Sequence, residues 1–473
     1  MTLLTLVSRV TGLARDAALS RIFGISATMD AFWFAFAIPN FFRRLFGEGA
    51  LSAAFLPAYT QLDRDNPAVA KQLATLTISL MIIVLGGISL LGEAWLVLIH
   101  FMRQDDALWV RLAMIMLPYM PMVCLVALLG AMLQVHGRFG PTATAPIILN
   151  LFIVAAAVGG EFILRSVAAE SRGESHVMIV SISVIVAGLV QVTWSVLALR
   201  KWNWWAGRLS ACREAFEPMK RVLWLALPMF IGLSVLQINT FMDDLIASYP
   251  TTIGPTIFGV DFPLLPGALT TINAAQRLHE FPLGVFGIAV ATAIFPTLSR
   301  AAGDPVMFTD ILRRGLRLVM FIGLPASAGL VLVREPLTAA VFQGGDFTAA
   351  DTARVARVLM GFAPAIWAYS MTHTLTRAFY ARGHARTPVK VAVGIVAMNF
   401  LLNITLIWTP LKEAGLAWST ATCAMVQTVI LLVLVRRHAQ NVVDREVVKS
   451  WIRTAVVTAL MCAAVWLVDR LLV

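Results

Sequence analysis

The stretch SRVTGLARDAALSRIFGISATMDAFWFAFAIPNFFRRLFGEGALSAAFLP, residues 8–57, is apolar enough to enter a bilayer yet carries Arg9, Arg15, Asp16, Arg21, Asp30, Arg43, Arg44 and Glu48. A charge at the centre of a membrane helix costs roughly 2.5–3.5 kcal/mol even on a lenient insertion scale. So many charges in two consecutive spans require a polar interior. The sequence therefore predicts a water-filled cavity with a net positive lining, suited to an anion.

The rest of the chain sets that stretch in a membrane. Of 473 residues, 59% are hydrophobic and 13% charged, and the mean hydropathy is +0.81. Soluble domains run nearer 45–50% apolar and about 25% charged. The net charge of +11 leaves open how the positives divide between loops and spans. Cys124, Cys212, Cys423 and Cys462 are scattered, so neither a disulfide framework nor a zinc site is indicated. Met1 leads almost directly into the first apolar segment, and no removable signal peptide is expected.

A span needs about 20 mostly apolar residues. Charged and Pro/Gly punctuation divides the chain into thirteen candidates, near 2–23, 28–60, 72–101, 108–135, 142–165, 177–200, 222–249, 266–298, 308–333, 350–381, 388–409, 414–436 and 451–473. Connections after even-numbered spans hold 21 Lys and Arg, those after odd-numbered spans 7. The positive-inside rule then places the N-terminus and the even loops in the cytoplasm.

An internal repeat is visible. Span 2 ends in Ala54-Phe55-Leu56-Pro57 and span 8 in Ala293-Ile294-Phe295-Pro296; Gly137-Arg138-Phe139-Gly140-Pro141, running on to Asn150, matches Gly383-His384-Ala385-Arg386-Thr387-Pro388, running on to Asn399. The paired prolines are offset by 239 and 247 residues. The expected architecture is all-α and polytopic: two parallel six-helix lobes around a central cationic cavity, plus a thirteenth C-terminal span. The N-lobe covers 1–200 (spans 1–6), an amphipathic cytoplasmic linker 201–221, the C-lobe 222–436 (spans 7–12), and a loop with span 13 covers 437–473. Trp202, Trp204 and Trp205 suit the linker to headgroup level.

Helical phase, about 100° per residue, sharpens the charged set. Asp30 and Glu48 share a face of span 2 with Arg44 close to it, although Pro39 can shift that phase; Arg9 and Asp16 share a face of span 1, while Arg15 points away from Arg9 unless Gly12 permits a bend. Pairing of Arg44 with Glu48 is the plainer alternative to a ligand role. Arg277 and Glu280 on span 8, after Gln276, supply a further cationic wall by the repeat. Guanidinium groups from spans 1, 2 and 8 suit a diphosphate, whose oxygens Arg binds bidentately. A second polar group, Asp243 and Asp244 on span 7, Asn399 and Asn403 on span 11, and Ser419 and Thr420 on span 12, offers hard oxygens to an alkali cation, interhelical hydrogen bonding being the blander reading. No nucleotide-binding loop, metalloprotease or nucleophile-elbow motif occurs, and the seven histidines lack metal spacing. A transporter rather than an enzyme is expected, with no cofactor and no nucleic-acid partner. Its energy would come from Na+ or the membrane potential.

The run 8–57 resembles the signature of the MurJ/MviN lipid II flippases, members of the MOP exporter superfamily. The resemblance continues in GRFGPTATAPIILN (137–150), RLHEFPLGVFGIAVATAIFPTLS (277–299), FQGGDFTAAD (342–351) and RTPVKVAV (386–393). It implies flipping of the undecaprenyl-diphosphate-linked peptidoglycan precursor, lipid II, from the inner to the outer leaflet of the bacterial cytoplasmic membrane by alternating access. The implied partners are lipid II, the phospholipid bilayer and the cell-wall synthesis machinery. Family functional positions match at Arg9, Arg15, Asp16, Asp30, Arg43, Arg44, Glu48, Arg277 and Glu280, and a cation site of some relatives at Asp243, with Asn399, Asn403 and Thr420 as its candidate partners here. Two departures stand out: Gln276 replaces a frequent family Asp before Arg277, and span 13 is the last here where the family usually has fourteen. The alternatives are another MOP-type exporter, either a polysaccharide-unit flippase or a cation-coupled drug exporter. A drug exporter for cations would want carboxylates to dominate, whereas here Arg9, Arg15, Arg43, Arg44 and Arg277 face Asp16, Asp30, Glu48 and Glu280. A membrane glycosyltransferase would need loop carboxylates or an extracytoplasmic domain, and the outer loops are short.

Overall fold

The computed structural model describes residues 2–47, 50–102, 107–164, 169–206 and 212–472. By packing, the chain divides into two compact units, one of Met1–Val260 with Gly344–Phe347 and the other of Asp261–Gln343 with Thr348–Val473.

The first unit opens with α1 (Thr2–Phe23), α2 (Ala27–Phe42), a π-helical turn (Arg43–Gly47) and α3 (Ala50–Asp65). Then come α4 (Pro67–Met102), α5 (Leu108–Met116), α6 (Tyr119–Val135), α7 (Gly140–Ile163), α8 (Ala169–Leu199) and α9 (Phe216–Thr252). Gly24, at φ +60°, closes α1 in the left-handed region that a helix terminus favours, and its N–H bonds Ser20 O at 2.8 Å. Ser26 then caps α2, accepting from Met29 N–H at 3.2 Å, and Asp30 sits in the first turn where the helix dipole favours an anion. Tyr59, Tyr119, Phe32 and Phe55 are fully buried in this unit.

The second unit follows a short hairpin, β1 (Thr256–Ile257) with β2 (Val260–Asp261), and holds α10 (Ala268–Pro282), a second π-helical turn (Leu283–Gly287), α11 (Ile288–Arg300) and α12 (Pro305–Leu332). It continues with α13 (Arg334–Phe342), α14 (Ala349–Phe362), α15 (Ile366–Ala381), α16 (Arg386–Leu406), α17 (Ala414–Val435) and α18 (Arg445–Leu472). Asp304 caps α12 by accepting from Val306 and Met307 N–H, and Thr348 with Asp351 forms a capping box on α14. In lipid, close packing rather than exclusion of water holds helices together. Gly361 illustrates this, because a Cβ there would lie 2.7 Å from Ala417 Cβ and 3.0 Å from Trp418 N.

Each predicted span is mainly helical over its described residues. Among the described residues, eight segments are also long and apolar enough to cross a membrane: α4, α5 with α6, α7, α8, α12, α16, α17 and α18. The others, α1, α2–α3, α9, α10–α11 and α14–α15, carry the intramembrane charges or the helix breaks. Both π-turns lie in that set. The second begins 240 residues after the first, matching the repeat read from the sequence. Pro39 removes one helical bond just ahead of the first turn, and Pro282 immediately precedes the second.

The packing boundary falls later than the expected lobe boundary. Helix α9, expected to open a C-lobe over 222–436, packs in the first unit against α2, α3 and the first π-turn. Aromatic contacts explain this: Phe241 lies 5.9 Å from Phe34 and 5.5 Å from Phe41, and Phe230 lies 4.6 Å from Phe46, ring centre to ring centre. The linker tryptophans are packing residues too. Trp202 stacks on His136 at 4.7 Å, Trp204 meets Trp205 edge-on at 5.4 Å, and Ala206 N–H donates to Thr75 Oγ1 at 2.9 Å. The segment Gly344–Phe347 also belongs to the first unit, with Asp346 N–H on Arg21 O at 2.8 Å. Gly345, at φ +56°, leaves no room for a side chain beside the Arg21 carbonyl.

Candidate functional site

Span 1 is one continuous helix, so its two arginines part company. Arg9 is exposed, whereas Arg15 and Asp16 are each only 7% exposed. Arg15 Nε and Nη2 both donate to Asp16 Oδ1, at 2.8 and 2.7 Å, and Nη1 donates to Asn150 Oδ1 on α7 at 3.1 Å. The guanidinium carbon stands 5.5 Å from the centre of the Trp33 ring. A buried cation of this kind is tolerable because Asp16 balances its charge and three of its five N–H groups are bonded. Helical phase places Asp16 on the face of Arg9, but it is Arg15 that Asp16 balances.

On span 2, Arg43 is half-buried and Arg44 exposed, both within the π-turn, and Arg43 Nε donates to Asn40 Oδ1 at 3.2 Å. The wider π-turn changes the helical phase over Arg43–Gly47, so the face computed for a regular helix does not carry from Asp30 past the turn. Asp30 is fully buried, with Thr251 Oγ1 on α9 donating to Oδ2 at 3.5 Å. Glu48 lies outside the described residues.

In the second unit, Arg277 Nη1 stands 3.6 Å from Glu280 Oε2, with side chains 37% and 50% exposed. Gln276 is half-buried beside them. The polar residues of spans 11 and 12 bond one another: Asn399 Nδ2 donates to Ser419 Oγ at 3.0 Å, Ser419 Oγ to Asn399 O at 3.1 Å, and Asn403 Nδ2 to Asn399 Oδ1 at 3.1 Å. Thr420 donates back to Leu416 O at 2.9 Å. Asn399 and Ser419 thus tie α16 to α17, whereas the Asn403 and Thr420 bonds stay within their own helices. Asp243 is half-buried on α9 in the first unit. Among the described residues there is no group of three or more His, Cys, Asp or Glu side chains placed to hold a metal.

Asn150 is the residue that the motif reading passed over. It is 5% exposed, and its Nδ2 donates to Thr11 Oγ1 at 3.2 Å and to Ser8 O at 3.4 Å. The available signal was a single amide in a mostly apolar span, within the segment that the repeat pairs with 383–399.

Polar and charged side chains carried on mostly apolar helices, two of them broken by π-turns 240 residues apart, fit a polytopic membrane transporter. The fold agrees. The chain superposes on a structure described as lipid II flippase MurJ, inward closed conformation, with TM-score 0.77 and 22% identity over 99% of this chain and 92% of that one. An inward-facing multidrug MATE transporter of the MOP superfamily follows at TM-score 0.70 and 14% identity, over 91% and 94%. A family model described as lipid II flippase MurJ matches residues 19–472. The lipid II flippase MurJ of Burkholderia cenocepacia is 32% identical over 92% of this chain and 82% of its own. A probable lipid II flippase MurJ of Vibrio cholerae is 29% identical over 99% and 88%. The chain belongs to the MurJ family.

Proposed function

We propose that this protein flips lipid II from the inner to the outer leaflet of the bacterial cytoplasmic membrane by alternating access, supplying cell-wall synthesis. The observation that carries the reading is the set of arginines held inside helices of a MurJ-family chain, with Arg43 and Arg44 in one π-turn and Arg277 beside Glu280. Arg9, Arg43, Arg44 and Arg277 are assigned to the substrate diphosphate, to which a guanidinium presents two parallel N–H donors. Arg15 joins them through the N–H groups that Asp16 and Asn150 leave over. Asp16, Asp30, Glu48 and Glu280 are assigned to balance that charge. A net positive set favours a lipid-linked anion over the cationic drugs of a carboxylate-dominated exporter.

The finer assignments belong to the same proposal. The N-terminus and the 201–221 linker are cytoplasmic, and coupling is to Na+ or to the membrane potential. Asp243 on α9 is the candidate ligand for a coupling cation. The test is replacement of the lipid II flippase in a depleted bacterium by this chain. Growth with normal cell shape supports the reading, and lysis despite normal accumulation of the protein in the membrane overturns it.

A further inference from the structure

The hydrogen bonds of Asn150 are fully specified by their partners. Thr11 Oγ1 donates to Ser8 O at 3.0 Å and so has only lone pairs to offer, which turns the amide nitrogen of Asn150 toward it. Arg15 can only donate, which turns the amide oxygen toward the guanidinium. The amide therefore grips α1 in two places one turn apart, at Ser8–Thr11 and at Arg15. Asp16 holds the other edge of the same guanidinium from α1 itself. An acceptor from a second helix fixes the plane of the fork, which a single carboxylate neighbour on the same helix leaves free to swing.

We propose that Asn150 is a positioning residue for substrate recognition, aiming Arg15 so that its two remaining N–H groups meet one phosphate of the diphosphate. The proposal rests on the reading of Arg15 as a diphosphate ligand. Three of the five guanidinium N–H groups are taken by Asp16 and Asn150, and two are enough for a bidentate contact. A neutral amide is the fitting acceptor. An aspartate would hold the fork equally well, but it would set a second carboxylate beside Asp16 in a place meant for an anion.

A double-mutant cycle on the purified protein tests this, with affinity for undecaprenyl diphosphate in detergent as the readout. Asn150→Leu keeps the volume and apolar packing of α7 on α1 and removes both polar functions. It is expected to weaken binding about tenfold, the scale of one charge-assisted hydrogen bond. Arg15→Ala is expected to weaken it at least as much, and the double variant no further than Arg15→Ala alone, because Asn150 acts through Arg15. A purely structural role would instead add its effect to that of Arg15→Ala. Additive losses therefore overturn the proposal, as does wild-type binding by Asn150→Leu. If Asn150→Leu does not accumulate folded, Asn150→Ser enters the same cycle with the same outcomes. Wild-type binding by Arg15→Ala would overturn the reading of Arg15 as well. Loss by Arg15→Ala with none by Asn150→Leu would overturn the positioning role alone.

Discussion

Replacing Arg277 separates what a cavity arginine does for folding from what it does for substrate. Its visible ion pair, with Glu280 at 3.6 Å, joins side chains 37% and 50% exposed. Solvent-exposed pairs of this kind contribute about 0.2–1 kcal/mol, so loss of this pair should cost little stability. A charge-assisted contact to a diphosphate contributes about 1.5–3 kcal/mol, or roughly 10- to 150-fold in affinity. The two effects differ enough to be read separately. Arg277→Ala should accumulate in the membrane and unfold within a few degrees of wild type, yet fail to support a lipid II flippase-depleted bacterium. Arg277→Lys keeps the charge and loses the planar fork, so partial support is expected. Arg300→Ala, at the exposed end of α11, is the tolerated control. Full support by Arg277→Ala at normal accumulation would refute the anion-binding account. A large loss of stability would show instead that Arg277 is structural.

Other outcomes are open to measurement. In a cysteine-free background, Trp205→Cys places an exposed thiol in the linker, which should resist an impermeant maleimide in intact cells and react after lysis; ready labelling in intact cells would reverse the assigned topology. If Asp243 binds a cation, wild-type protein should unfold at a higher temperature in Na+ than in choline, and Asp243→Ala should erase the difference. Near the ends of α15 and α17, the His438 imidazole lies 4.2 Å from that of His384. Burial, then His384, Arg382 and Arg437, hold its pKa below the usual 6.5. Because the folded form resists protonation while the unfolded chain accepts it, stability should fall as the pH drops from about 6.5 downward. His438→Phe should flatten that slope, and an unchanged slope would assign the acid sensitivity elsewhere.

The sequence was most legible where membrane physics leaves few choices. Apolar segments became helices because a backbone in lipid must satisfy its own hydrogen bonds, and among the described residues eight are long and apolar enough to cross a membrane. The repeat was legible through Pro57 and Pro296, and it reappears as π-turns at 43–47 and 283–287. Less was legible where side chains reach across helices. Neighbours at i and i+1 normally point apart on a helix, so nothing in the spacing foretold that the long Arg15 side chain would fold back onto Asp16. Nor could a regular helical phase anticipate the extra residue of the π-turn at Arg43–Gly47. The placement of α9 with the first unit depends on Phe34, Phe41 and Phe46 meeting Phe230 and Phe241, contacts that hydropathy does not distinguish from lipid-facing phenylalanines.

The most direct test of the central claim is the leaflet distribution of lipid II in cells whose only flippase is this chain. The account predicts that most lipid II is accessible to a membrane-impermeant probe at the outer surface, and that Arg277→Ala leaves it in the inner leaflet. Retention of lipid II in the inner leaflet with abundant wild-type chain in the membrane would contradict it.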